Sequence, residues 1–380
     1  MRHNTLLLLP ALAVTLFGQT LKVEPAANPS GPDSSQVNWS VAQDGSPLMS
    51  WVEADVLKYS IRKGAQWSEP RTVAAHRHFF HHPAELPEVI AMPGGSFLAH
   101  WIEAPKTESE AEFIYVSASR DGIKWTAPAM GHHDKSDVEH GLASMAASGD
   151  KEASIFWLQS LNGPDKPTSL MRTTVSIDGN EVKEEMLAAD VCECCPTSVA
   201  KTSRGLLVAY RGHTKDDIRD IAVTRLEGGR WTSPKIVYPD NWQVDACPVN
   251  AASVTAKGDK VAIAWYTAGG DKPRVELAFS ADSGATFTKA AVVSTGAAYG
   301  YASVAIDDAG GAYVSWLERG GDGARVLARH VLDTGVAGPV VQVAAGTRKS
   351  LGYPRIVRAG NDTWIAWNTD SKIETAKLGL

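Results

Sequence analysis

The feature that most constrains this chain is an internal repeat. A short apolar strand ending in an aromatic recurs seven times: Leu48-Met49-Ser50-Trp51, Leu98-Ala99-His100-Trp101, Ser154-Ile155-Phe156-Trp157, Leu207-Val208-Ala209-Tyr210, Ala262-Ile263-Ala264-Trp265, Tyr313-Val314-Ser315-Trp316 and Trp364-Ile365-Ala366-Trp367. The aromatic positions lie 50, 56, 53, 55, 51 and 51 residues apart. Each copy follows a strand-like run, such as Pro87–Met92 or Ala302–Ile306, and precedes two more. Four short strands in a period of about fifty residues is the pattern of a β-propeller blade. Neighbouring blades cover both faces of each sheet, which accounts for near-continuous apolar runs in place of strict alternation. The expectation is an all-β propeller of seven four-stranded blades, or six if one copy is degenerate. The last copy ends after its third strand. Thr20-Leu21-Lys22-Val23-Glu24 is expected to supply the missing outer strand and so remove an open edge.

Charge and hydropathy narrow the class further. Of 380 residues, 43 are acidic and 37 basic, a net charge of −6. That balance argues against nucleic acid or an anionic membrane surface as partner, since both call for clustered Lys and Arg. Apolar residues make up 44% of the chain, which excludes wholesale disorder. Arg2 and His3 precede an apolar run from Leu6 to Phe17, shorter than the roughly 18 residues that cross a bilayer. Residues 1–19 are expected to be an export signal, cleaved between 13 and 20, and residues 20–380 one propeller domain. The expected product is a monomer without a membrane span, periplasmic or secreted.

In a propeller the loops alternate between two faces, and those entering the inner strands surround the mouth of the central channel. Four consecutive entry loops hold most of the chemically unusual residues. They carry His76, His78, His81 and His82; then His132, His133, Asp134, Asp137, Glu139 and His140; then Asp190 and Cys192-Glu193-Cys194-Cys195-Pro196; then Trp242, Asp245, Cys247 and Asn250. Two readings of the four cysteines compete. Oxidation allows three pairings, and Cys192 or Cys194 bonded to Cys247 would tie blade four to blade five. Alternatively, thiolates and imidazoles suit a soft metal, copper before zinc, with Cys192, Cys194, Cys195, Cys247, His133, His140, His81 and His82 as candidate ligands. The second reading makes the chain a metal-binding or redox accessory protein. Taken singly, each His fits a solvated or hydrogen-bonded structural role equally well, and His100 is expected to be a hydrogen-bonded interior residue. Arg211, Arg219 and Arg355 on the same face suit a small acidic ligand, unless neighbours such as Asp220 neutralise them.

A second repeated signal lies between the third and fourth strands. Ser280-Ala281-Asp282-Ser283-Gly284-Ala285-Thr286-Phe287 has the form Ser-x-Asp-x-Gly-x-Thr-aromatic, Ser119 to Trp125 is one residue shorter, and Lys63 to Trp67 and Glu227 to Trp231 are worn versions. These hairpins resemble the Asp-box, or BNR, repeats of sialidases and other secreted β-propellers. Cys192 to Thr197, Tyr210-Arg211, Ile218 to Ile221, Trp242 and Cys247-Pro248-Val249-Asn250 together resemble a bacterial branch of secreted sialidase-like propellers, often labelled exo-α-sialidase; His133-Asp134 and Glu139-His140-Gly141 add to that likeness. The resemblance implies a glycoside hydrolase acting on acidic sugars. It would have Arg211 and Arg355 as a carboxylate clamp, Asp134 or Glu139 as proton donor, and a nucleophile among Tyr299, Tyr301 and Tyr353. The chain departs from true sialidases in lacking an Arg-Ile-Pro motif near the first blade, in following Arg355-Ile356 with Val357, and in counting seven blades where they have six. A third reading is a protein-interaction platform with the cysteines as staples.

Overall fold

The seven repeated aromatics explain the architecture. Each sits in the second strand of a sheet, and each is buried, from Trp51 and Trp157 at no exposure to Trp367 at 8%. A buried indole calls for a partner for its N–H, and in four blades the repeat supplies one two residues on, on the same side of the strand; the Trp367 N–H has none. Trp51 donates to Glu53 (3.1 Å), Trp101 to Glu103 (2.7 Å), Trp157 to Gln159 (3.1 Å) and Trp316 to Glu318 (3.0 Å). In blade five the residue two on is Thr267, and Asp240 from the preceding connection accepts the Trp265 N–H instead (2.7 Å).

The computed structural model describes residues 20–104, 111–160, 167–179, 183–370 and 372–380. The expected export signal at residues 1–19 lies outside them. The described residues form seven antiparallel blades in a ring, with a single 3-10 turn at Gly269–Asp271. Blade two is typical: inner strand Glu88–Ala91, then Phe97–Glu103 and Phe113–Ser119, then outer strand Ala129–Met130. In blades one and four the outer strand is split into two short pieces, both pairing with the third strand. The seventh sheet closes the ring. Its inner strands come from the C-terminal end, and its outer strand is Lys22–Ala26, running antiparallel to Lys372–Gly379 from Lys22 opposite Gly379 to Ala26 opposite Thr375. Both the seven-blade count and the closing strand agree with the expectation from sequence.

The core follows the ring. One apolar layer lies between each neighbouring pair of blades, for example Ala264, Leu277, Val304 and Trp316 between blades five and six, or Ile365, Ala376 and Leu378 with Tyr313 and Val326 between six and seven. The Asp-centred hairpins brace these layers. Asp282 accepts bonds from the Thr286 N–H (2.8 Å) and the Ser280 hydroxyl (2.8 Å). The bend at Gly284 (φ +79°) presses so closely on blade four that a Cβ there would lie 2.1 Å from Leu207. In blade two, Asp121 accepts from the Ile123 and Lys124 N–H groups (2.8 Å each), and the Gly122 carbonyl accepts from Tyr59 of blade one (2.6 Å).

Deleting residues 20–26 leaves Lys372–Gly379 as a bare sheet edge. The expected result is a thermal midpoint lower by roughly 5 °C or more, with concentration-dependent association in light scattering. An unchanged midpoint would contradict closure by this strand.

Candidate active site at the channel mouth

Two kinds of connection open on the same face of the ring: those entering each inner strand, and those joining second to third strands. The inner strands begin irregularly. Gln36 (φ +52°), Leu142 (φ +57°) and Tyr301 (φ +55°) lie in the left-handed region, and the pairing of inner with second strand shifts register at each: between Ser35 and Asn38, Gly141 and Ser144, and Gly300 and Ser303. Bulges of this kind re-aim backbone and side chains where strands end, and left-handed non-glycine residues concentrate at functional sites.

One cleft on this face has a volume of about 300 Å³ and lies between the loops of blades two to five. Its walls carry Glu85, Glu112 and Glu139, with Gln159, His82 and the Cys194–Cys247 pair around them. Glu85 sits in the loop entering blade two. Gln36 pins that loop by donating to the carbonyls of Glu85 and Phe80 (2.9 Å to Phe80). Glu112 ends the connection before the third strand of blade two, where the His140 N–H donates to its carbonyl (3.1 Å) and its own N–H donates to Val138 (3.3 Å). The two carboxyls converge over Gly141. A Cβ there would lie 2.5 Å from Glu112 Oε2 and 2.6 Å from Glu85 Oε1, so only glycine leaves room for both.

Burial dominates the chemistry of this pair. It pushes the Glu85 carboxyl up to about 8, with the charge of Glu139 adding to the rise and a bond from the Leu142 N–H (2.6 Å) opposing it. Burial, then the charges of Glu85 and Glu139, push Glu112 up to about 9. One oxygen, Glu85 Oε2, is buried with no hydrogen-bond partner. The cleft thus holds protonated carboxyl groups at neutral pH, the state a general acid requires.

The residues singled out from sequence fall into different places. Glu139 lines the cleft. Asp134 does not face it as a donor: it accepts from Gln159 (2.7 Å) and the Ser136 N–H (2.8 Å), with His140 Nε2 at 3.5 Å. Arg211 is a brace, donating to the carbonyls of Asn250 (3.1 Å), Arg219 (2.6 Å) and Tyr266 (2.8 Å) with its guanidinium over Trp242. Arg219 is neutralised by Glu193 (2.9 Å) and not by Asp220, whose carboxylate accepts the Asn241 and Trp242 N–H groups instead. Arg355 lies apart from these, half-buried against a second cavity of about 210 Å³ that also takes in His81, His82, Lys349 and Tyr353. Burial pulls the Arg355 guanidinium down to about 10, and its Nε has no hydrogen-bond partner. Tyr301 and Tyr353 stack at 3.6 Å, and Arg348 donates to the Tyr301 hydroxyl (2.8 Å). His100 is interior as expected, but neither ring nitrogen is hydrogen-bonded; Nε2 stands 3.6 Å from Glu88.

The histidines and the sulfurs do not converge. His140 stacks on His132 (4.0 Å) and Phe113 (5.7 Å), its Nδ1 donating to the carbonyls of Glu112 and Val138. His133 is exposed beside Glu184 (3.8 Å), His82 stacks on Phe80 (5.9 Å), and His81 faces the second cavity. Among the described residues, the groups close enough to share an ion are Cys192, Cys194 and Cys195, and Glu193, Cys194 and Cys247, with no histidine in either. Two of these sulfurs are already joined: Cys194 and Cys247 form a disulfide that ties the loop entering blade four to that entering blade five. Cys192 and Cys195 remain thiols, both buried. The Cys195 thiol donates to Cys192 (3.0 Å), and Arg219 stands 3.4 Å from the same sulfur. These interactions pull Cys192 down to about 6 against its burial, while burial pushes Cys195 up.

No family model matches the chain, and no curated protein matches it in sequence. Solved structures share the fold at low identity. A protein of unknown function from Dyadobacter fermentans is 14% identical over 95% of this chain and 99% of that one, with a TM-score of 0.50. An ulvan lyase of polysaccharide lyase family PL25 is 11% identical over 94% of both chains (TM-score 0.57). An α-L-arabinofuranosidase of family GH93 from Fusarium graminearum, solved with arabinobiose, is 14% identical over 94% of this chain and 96% of that one (TM-score 0.51).

A pH series tests the protonated pair without reference to activity. Both carboxyls titrate above the ordinary value of 4.5, so each stabilises the fold while protonated. That contribution is complete below about pH 4.5 and is lost as pH rises through about 8 to 9. Glu85→Gln and Glu112→Gln are each expected to flatten the fall in thermal midpoint over this range, by up to about 1.4 kcal/mol per pH unit per group. Parallel curves for wild type and variants would contradict the assignment.

Proposed function

We propose that this chain is an exported, sialidase-like propeller that hydrolyses glycosidic bonds in the cleft over Gly141. The observation that carries the reading is the convergence of Glu85 and Glu112, both held protonated, in a cavity of about 300 Å³, enough for a sugar unit or two. Glu112 is the proton donor to the leaving oxygen. It is the less buried of the two, at 8% exposed against 3% for Glu85. Glu85, anchored by the Leu142 N–H, positions that proton by the repulsion its charge would create if both ionised. Glu139, on the same cleft, takes the base role towards the sugar or water.

The second cavity suggests the substrate class. It shares His82 with the cleft and presents Lys349 and the half-buried Arg355, a setting for an anionic group. An acidic sugar would place its charge there and its glycosidic oxygen near Glu112. Reading the Asp121 and Asp282 hairpins as Asp boxes is consistent with this placement among secreted glycan-acting propellers. The two glycan-active neighbours, an ulvan lyase and an arabinofuranosidase, favour the same class through the shared fold alone.

The test is a panel of aryl glycosides and polysaccharides, with and without uronic acid units, assayed for new reducing ends. Glu112→Gln is expected to lower kcat/KM by about 100-fold or more. Lys349→Ala is expected to raise KM for acidic substrates and leave neutral ones unchanged. Because the donor must be protonated, wild-type activity falls as pH rises past about 9. Glu85→Gln, which removes one of the charges holding the Glu112 proton, moves that limb to lower pH. Absence of any cleavage across the panel, or full activity of Glu112→Gln, would overturn the reading.

A further inference from the structure

The glycan reading leaves the sulfurs unused, and their arrangement is layered. Cys247 is exposed and Cys194 half-buried, so the disulfide between them faces solvent at the edge of the cleft. Directly beneath, Cys192 and Cys195 are 0% and 1% exposed and both reduced. Cys192 is the hinge of the arrangement. Its sulfur touches both partners at once, 3.9 Å from Cys194 Sγ and 3.0 Å from Cys195 Sγ, and the Arg219 guanidinium lies 3.4 Å away to stabilise a thiolate. A thiolate in contact with a disulfide sulfur, with a second thiol behind it, is the set of groups that thiol–disulfide exchange requires.

We propose that these four cysteines form an internal thiol–disulfide exchange site, in which the buried Cys192/Cys195 dithiol and the exposed Cys194–Cys247 disulfide interconvert. In the first step the Cys192 thiolate attacks Cys194 Sγ. The Cys192–Cys194 bond forms, the Cys194–Cys247 bond breaks, and Cys247 leaves as a thiolate that takes up a proton in place of the one Cys192 gave up. In the second step Cys195 loses its proton and attacks Cys192 Sγ. A Cys192–Cys195 bond forms, and Cys194 leaves with the electron pair and is protonated. One disulfide and two thiols stand on each side, so no outside oxidant or reductant is consumed. The isomers differ in what they hold together: the first ties the entry loops of blades four and five, the second ties only the loop entering blade four to itself. The second also presents two thiols, on Cys194 and Cys247, to small thiols or disulfides in solution. The site is independent of the glycan reading, since no cysteine has a role in that chemistry.

The test is alkylation of the full chain with excess iodoacetamide at mildly alkaline pH, followed by non-reducing peptide mapping with tandem mass spectrometry. The expected product carries label on Cys194 and Cys247 and a Cys192–Cys195 disulfide, because the exposed thiols of the second isomer are trapped as they appear. In Cys192→Ser, label on Cys247 is expected at least about tenfold more slowly. Cys195→Ser is expected to stop after the first step, with label on Cys247 alone and a Cys192–Cys194 disulfide; this variant carries the test if Cys192→Ser does not fold. Label confined to Cys192 and Cys195, or exchange undiminished in Cys192→Ser, would overturn the proposal. So would four free thiols with one equivalent of copper or zinc, which would make the sulfurs a thiolate metal centre.

Discussion

The pairing of Lys22–Ala26 with Lys372–Gly379 is the constraint on which the rest of the ring depends. A propeller blade is a small sheet with two apolar faces, and neither is satisfied unless a neighbour covers it. Seven blades cover one another only when the ring closes, and here the last sheet takes its outer strand from the opposite end of the chain. Side-chain bonds support the seam: Thr375 donates to the Ala26 carbonyl (2.7 Å), Asn28 to Ile373 (2.9 Å) and Asn368 to Ser34 (3.1 Å). With the ring shut, the entry loops of blades two to five are held at fixed distances, which is what lets residues far apart in sequence share one cleft.

That rigidity carries the buried carboxyls. Placing Glu85 and Glu112 side by side over Gly141 costs desolvation and repulsion, and the chain meets part of that cost by keeping them protonated. The surroundings do the positioning. Leu142 is held with φ +57° so that its N–H points at Glu85, and the His132–His140–Phe113 stack fixes the loop whose backbone bonds to Glu112. His140, a candidate metal ligand in the sequence, therefore serves the site from behind, as packing and hydrogen-bond donor.

Much of the fold was legible because its signal is periodic. The Trp-x-Glu or Trp-x-Gln spacing at Trp51, Trp101, Trp157 and Trp316 reflects a bond made inside one strand, and such bonds leave a local trace. The missing outer strand of blade seven was legible for the same reason. The site was less so. The Cys- and His-rich entry loops draw the eye to Glu139, which lines the cleft, but not to Glu85, in the same loop as His81 and His82, nor to Glu112, in a connection between second and third strands. The alternation of loops puts that connection on the same face, and this signal was present in the sequence. What no spacing reveals is partner choice: Arg219 pairs with Glu193, 26 positions away, while Asp220 beside it caps the backbone at Trp242. Of the cysteine pairings left open, Cys194 with Cys247 is the one formed, a choice set by how two adjacent blades meet.

At the centre of the cleft is a carboxyl pair that keeps its proton at neutral pH, and the most direct measurement of it is a carbon-13 NMR titration of the glutamate side-chain carboxyls. Two resonances are expected to titrate near 8 to 9, assigned by their loss in Glu85→Gln and Glu112→Gln, apart from a majority that titrate near 4.5. Glutamates that all titrate near the ordinary value would contradict this, and with it the assignment of Glu112 as a general acid.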